Sequence, residues 1–171
     1  MSHVMDAIVH RRSIRSYLDK PVSKEMIDQI IKAGFYAPSA LECCSWHFVV
    51  VDDRKVINQL MEVHPYLQMA AEAPCLIVLC NDSEENPRYW IDDSAAAAQN
   101  MLLAAYDLGL GSCWCAVHKT PERRTAFQQI LNLPEHLIPF AAIVIGYPNE
   151  SFDPPERVDQ NRIYHNHYGQ H

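Results

Sequence analysis

Apolar positions along this chain follow two rhythms. Val4 and Ile8, with polar residues between them, begin a helical period that carries into residues 10–17. Ile27, Ile30 and Ile31 repeat the spacing over residues 23–37, behind Ser23 as a cap and up to the break at Pro38. Residues 46–51 (Trp, His, Phe, Val, Val, Val) and 75–80 are instead continuous apolar runs, too uniform for half-exposed strands. They predict strands in a sheet covered on both faces. Between them, Asp53 predicts the cap of a short helix carrying Val56, Ile57 and Leu60. Residues 94–108 form the longest predicted helix, capped by Asp92 or Asp93 and stopped by Gly109. Ala95 to Ala98, Leu102, Leu103, Ala104 and Ala105 make it apolar almost all round, so it lies centrally or in a subunit interface. A loop and strand over residues 111–117, a helix from Thr120 and Pro121 to Leu131, and a strand over 140–145 complete the body. The tail, 149–171, is polar and has no core of its own.

With 171 residues, 49% of them apolar and 20% charged, the chain reads as one domain, 1–171. Its 21 acidic against 14 basic residues give a net charge of −7, which argues against a nucleic-acid surface. No apolar run approaches the roughly 18 residues of a membrane span, and the first residues lack a signal pattern; a cytoplasmic protein is expected. Six cysteines are then expected to be free thiols. Cys43 and Cys44 precede His47, and Cys113 and Cys115 precede His118, which leaves a zinc site or thiol sensor as an alternative. Neither pair has C-x-x-C spacing, and small apolar Cys is common in strands; no metal ligand is assigned.

The densest positive charge is Arg11, Arg12 and Arg15. On a helix these would neighbour one another and repel unless an anion sat among them. A solvated basic helix end is the other reading. Only five glycines occur, with no G-x-G-x-x-G or Walker pattern, so a bound nucleotide would be held by side chains and helix ends.

Four segments in order carry a resemblance: Arg11, Arg12, Ser13, Ile14, Arg15; Ala37, Pro38, Ser39, Ala40 with Trp46, His47, Phe48; the Ala-rich helix ending in Gly109, Leu110, Gly111, Ser112, Cys113, Trp114; and Ile145, Gly146, Tyr147, Pro148 followed by Arg157 and Arg162. Together the chain resembles the nitroreductase family of flavin enzymes over nearly its whole length. That resemblance implies an α+β fold with a central mixed sheet flanked by helices, an intertwined homodimer with the 149–171 arm packed on the partner subunit, and FMN at shared interfacial sites. It also implies NADH or NADPH as hydride donor, a small-molecule acceptor such as a nitroaromatic or quinone, and ping-pong exchange. No catalytic side chain is implied, because the flavin carries the chemistry. A dehalogenase or flavin-fragmenting enzyme on the same fold is the alternative.

Carried over by position, Arg11, Arg12, Ser13 and Arg157 would hold the FMN phosphate and ribityl chain, and Arg15 the N1–O2 edge of the ring. Pro38, Ser39 and Ala40, with Glu42 beyond them, would approach the ring from the other subunit; amides around Cys115 and Ala116 would face N5. The family's usual Asn and Gln at positions 42 and 44, then Pro, are replaced by Glu42, Cys44 and Ser45. A carboxylate cannot donate to a ring carbonyl, so Glu42 turns away, meets substrate, or disfavours the anionic reduced flavin.

Overall fold

The computed structural model describes residues 2–170. Helix α1 (His3–His10) is capped by Ser2, whose Oγ accepts the Met5 N–H. It stops at Arg11, whose φ of −52° and ψ of 132° leave the helical region. The arginines therefore do not share a helical turn, contrary to the periodic reading of residues 10–17. Residues 13–17 instead run extended along the sheet, with a parallel bridge from Ser13 to Ser112 and an antiparallel one from Tyr17 to Pro148. Burial of Ile14 and Tyr17 against the sheet decides the matter over local helix propensity.

Helix α2 (Lys24–Phe35) starts at its Ser23 cap, strand β1 (Trp46–Val51) follows, and Asp53 caps α3 (Arg54–Val63). Then come β2 (Cys75–Asp82), α4 (Trp90–Asp107), β3 (Gly111–Ala116), α5 (Pro121–Ile130, with Pro at its first position) and β4 (Leu137–Gly146). The four strands order β1-β2-β4-β3, every ladder antiparallel. Where a mixed sheet is implied by the resemblance, the parallel component found is the Ser13–Ser112 bridge alone among the described residues. The α+β class holds.

Alternate residues of β2 feed two cores. Leu76, Val78 and Cys80 pack with α3 and α5 through Ile57, Leu60 and Phe127. Ile77 and Leu79 pack with α2 and α4 through Ile30, Ala97, Ala98, Met101 and Ala105. Strand β2 is thus buried on both faces, as its composition predicts. Strand β1 is not: it is a sheet edge with Val50 exposed. Helix α4 begins at Trp90, so Asp92 and Asp93 lie inside its first turn and neither is the cap. The tail from residue 151 onward is exposed throughout the described residues except for half-buried Tyr164. No helix is long and apolar enough to cross a membrane among the described residues.

Two glycines facing each other across β3 and β4, Gly111 and Gly146, make room for the 13–17 segment. A Cβ on Gly111 would stand 2.8 Å from the Ile14 side chain, and one on Gly146 would stand 2.8 Å from the Tyr17 ring and 2.9 Å from Pro74. Gly146→Ala should therefore cost about 1–3 kcal/mol by overpacking. Urea unfolding measures it, and a loss within about 0.5 kcal/mol would show that the Tyr17 seat is soft.

Candidate functional site

Arg12 turns back on the end of α1: its Nη1 donates to Val9 O at 2.8 Å and to Arg11 O at 2.6 Å. Those carbonyls lack helical partners, so the guanidinium caps them. What is left over is Arg12 Nε, Arg12 Nη2 and Arg11 Nε, all buried with no hydrogen-bond partner. Burial, foremost, with the charges of Arg12 and Arg157, lowers the pKa of Arg11. None of Arg11, Arg12, Arg15 or Arg157 is in an ion pair among the described residues, whose pairs are His10–Asp6, Lys24–Asp28, His136–Asp82 and Arg162–Asp159. Glu150 is nearby, but its Oε1 accepts from the backbone N–H groups of Arg15 and Ser16. Glu72 Oε2 likewise takes Tyr17 N at 3.2 Å and Ser16 Oγ at 3.3 Å. Buried donors without acceptors are costly, and a phosphate would satisfy them. The chain thus brings Arg11, Arg12 and the field of Arg157 together, a donor set that a phosphate fits; no hydrogen bond joins Ser13 to them among the described residues.

Arg15 points elsewhere, into a cavity of about 660 Å³ at the end of β3. His64, Pro65, Tyr66, Gln68, Met69, Cys113, Trp114, Cys115, Ala116, Lys119 and Arg123 complete its lining. Here the polar contacts fix one another. His64 Nδ1 accepts the Tyr66 N–H at 3.2 Å, so the ring carries its proton on Nε2, which donates to Ala116 O at 3.1 Å. Arg123 Nη1 donates to the same carbonyl at 3.0 Å. Burial pushes the His64 pKa below the usual histidine range, keeping the ring neutral. The end of β3, with Cys115 and Ala116, is thereby held rigidly at the cavity wall. Cys115 Sγ lies 3.2 Å from Tyr66 O, and its single proton is shared between that carbonyl and the Cys113 sulfur. Of the two thiols on this face of β3, Cys113 is the more acidic: a hydrogen bond from Cys115 is the chief cause, with help from Arg15 and Arg11 against burial. The same bond and burial push Cys115 up.

Pro38, Ser39, Ala40 and Glu42 line neither this cavity nor the smaller one of about 270 Å³ beside Arg11 and Arg12. Their loop is built on Asp93, buried at the start of α4. Asp93 Oδ2 accepts from Ser39 Oγ at 2.8 Å and Asn86 Nδ2 at 2.8 Å, and the carboxylate also takes Ala40 N at 3.1 Å. Ser39 Oγ in turn accepts Cys44 N at 3.0 Å. Those bonds hold Leu41, Glu42 and Cys44 at φ of 57°, 55° and 49°, left-handed values that side-chain-bearing residues resist. Leu41 and Glu42 are exposed.

The two Cys/His groups do not assemble: among the described residues no cluster of three or more His, Cys, Asp and Glu could hold a metal ion. His118 stacks on Phe140 at 4.6 Å, and His47 is exposed on edge strand β1. Glu150, Glu72, His64 and Arg123 have no sequence pattern that marks them, and Asp93 anchors the 38–44 loop where a helix cap is expected. An acid beside an otherwise apolar helix is the available signal for Asp93; Glu150, Glu72 and His64 act over long sequence separations, and Arg123 reaches back seven positions with no local pattern to mark it.

The Nitroreductase family model matches residues 8–64 and 59–147. A protein of Methanothermobacter thermautotrophicus, provisionally named NADH dehydrogenase/NAD(P)H nitroreductase, is 42% identical over 163 residues, covering 94% of this chain and 85% of its own. The crystal structure of a similarly named protein from Parabacteroides distasonis superposes with a TM-score of 0.95 at 38% identity, covering 98% of this chain and 100% of the other. An FMN-dependent nitroreductase from Clostridium difficile gives 0.90 at 32%, with 96% and 99% covered.

Asp93→Ala removes the anchor of the 38–44 loop. Because hydrogen bonds to a buried carboxylate contribute about 1.5–3 kcal/mol each and are partly replaced by water, a net loss of about 2–4 kcal/mol is expected. Hydrogen exchange at Ala40 and Cys44 should rise far more than in β2; unchanged protection there would show that the loop holds itself.

Proposed function

The chain belongs to the nitroreductase family, and from that premise we propose that it is an FMN-dependent NAD(P)H oxidoreductase whose site is completed by a second copy of the chain. The observation that carries this reading is the set of buried, unpartnered guanidinium nitrogens on Arg11 and Arg12 at the 270 Å³ cavity, with Arg15 edging the separate 660 Å³ one. FMN, when bound, supplies acceptance and delivery of a hydride at N5. The protein's part is to bind, orient and set the electrostatics. Arg11, Arg12, Ser13 and Arg157 take the phosphate. Arg15 favours negative charge at the N1–O2 edge. The amides around Cys115 and Ala116, on a strand end fixed by the double hydrogen bond on Ala116 O, would face N5 of a bound flavin. Donor and acceptor visit the same cavity in turn, so NAD(P)H + H⁺ + quinone gives NAD(P)⁺ + hydroquinone, with the proton from solvent. That exclusion of one by the other is the ping-pong mechanism.

The second copy follows from surfaces left uncovered. Val4, Met5 and Ile8 on α1 and Phe35 and Tyr36 at the end of α2 are exposed, as are Phe152, Val158 and Ile163 on the tail. Large apolar residues in such number mark an interface. The 149–171 arm packs on the partner, and the Asp93-held loop with Pro38, Ser39, Ala40 and Glu42 reaches the partner's flavin. Obligate interfaces of this kind bury more than about 2,000 Å².

Purified protein should carry FMN, and Arg11→Ala and Arg157→Ala should each weaken its retention roughly tenfold or more. Retention unchanged in both would remove the phosphate assignment. Initial-rate plots with NADH and a quinone should give parallel lines; intersecting lines would rule out alternating occupancy. Sedimentation at micromolar concentration should show a dimer, and a flavin-loaded monomer would contradict the shared site.

A further inference from the structure

Three cations, Arg15, Lys119 and Arg123, edge the 660 Å³ cavity, and no carboxylate is in its lining. In a chain with 21 acidic and 14 basic residues this segregation is against the overall balance. None of the three has an ion-pair partner among the described residues. Arg123 Nε is buried with no hydrogen-bond partner, while Nη1 is spent on Ala116 O. His64 adds no acceptor, since its Nδ1 takes a backbone N–H and its Nε2 donates to Ala116 O. If the reading above holds, Arg15 serves the flavin ring, and Arg11, Arg12 and Arg157 serve its phosphate. Lys119 and the Nε of Arg123 then remain as unmatched positive charge at a wall that Pro65, Tyr66 and Met69 also line.

We propose that the electron acceptor of this enzyme is an anionic aromatic, a ring bearing a carboxylate or phosphate, with Lys119 and Arg123 as specificity-determining residues that bind its negative group. The acceptor ring would lie against the flavin ring that Arg15, Cys115 and Ala116 border, and its anion would meet Lys119 and Arg123 at the rim. A neutral acceptor of the same shape leaves them unmatched. Charge-assisted hydrogen bonds strengthen as the site is closed from water, so the discrimination is in binding and in kcat/KM. With a nitroaromatic, one hydride from NAD(P)H and one proton from solvent give the nitroso product, NAD(P)⁺ and one water. The same positive charge could instead serve the 2′-phosphate of NADPH, and the test separates the two sources.

The FMN-loaded protein is assayed with NADH and either 4-nitrobenzoate or 4-nitrobenzamide. The amide is the more electron-poor and intrinsically the easier to reduce, so a preference for the carboxylate reports recognition. We expect kcat/KM to favour 4-nitrobenzoate roughly tenfold or more, and that ratio to fall about tenfold in Lys119→Met and in Arg123→Met while Lys119→Arg retains it. Calorimetric titration with benzoate, which cannot be reduced, should show binding that weakens by a similar factor in Lys119→Met; benzamide should bind no better than to that variant. A ratio near one in the unaltered protein, or a benzoate affinity unmoved by Lys119→Met, overturns the proposal. So does a Lys119→Met variant that loses only its NADPH-over-NADH preference, which would assign the cations to the donor. Absence of turnover with both acceptors overturns the oxidoreductase reading instead, and the benzoate titration still decides whether the cavity binds anions.

Discussion

Everything at the site depends on how residues 13–17 are latched to the sheet. Backbone groups taken out of water must find partners, and here each end of the segment does so: Ile14 N donates to Ser112 O at 3.0 Å, Leu18 N to Tyr147 O at 2.9 Å, and Asn149 N to Ser16 O at 3.0 Å. Between them, the N–H groups of Arg15, Ser16 and Tyr17 go to the carboxylates of Glu150 and Glu72. Tyr17 OH closes the segment on Ile14 O at 2.7 Å. Gly111 and Gly146 allow this approach because neither has a Cβ to strike Ile14 or Tyr17. Two carboxylates that could have neutralised arginines are thus committed to the backbone. The guanidinium groups are left positive and under-bonded.

That division of labour separates two kinds of preorganisation. On the Arg11 side the site holds unsatisfied donors, a deficit that only an incoming anion removes. The 38–44 loop, which lines neither cavity, instead holds strained backbone, three left-handed residues kept in place by the Asp93 carboxylate. In both cases the energy that holds the geometry comes from the packed body: the end of α1 and the sheet edge for the arginines, the first turn of α4 for the loop. An acidic chain can therefore present a locally positive cavity. Net charge governs encounter with polyanions, and the local arrangement governs what fits.

Much of the fold was legible because it rests on short-range signals. Ser23 and Asp53 cap the helices they were expected to cap, Pro121 opens α5, and the apolar run of β2 is buried on both faces. Failures occur where distant contacts decide. A helix through residues 10–17 is locally reasonable, since arginine is a good helix former and Val4 and Ile8 set the period; Ile14 and Tyr17 pull the chain out of it by packing on β3 and β4. The crowding of positive charge expected there exists, but it comes from a helix end and a sheet edge and not from one helical turn. Edge strand β1 reads like a central one because its sequence does not reveal that it has a single neighbour. The family resemblance pointed to Arg11, Arg12 and Arg15, whereas Glu150, His64 and Arg123 matter through partners 50 or more positions away in two of the three cases and could not be read locally.

The central claim is that the arginine cluster is a preformed phosphate site, and the most direct measurement compares FMN with riboflavin, which lacks only the phosphate. Titrated into flavin-free protein, FMN should bind roughly a hundredfold more tightly, as about two charge-assisted hydrogen bonds require. In Arg11→Ala that advantage should shrink about tenfold while riboflavin affinity stays the same. Equal affinities for FMN and riboflavin in the unaltered protein would contradict the account, because the buried guanidinium donors would then have no anion to meet.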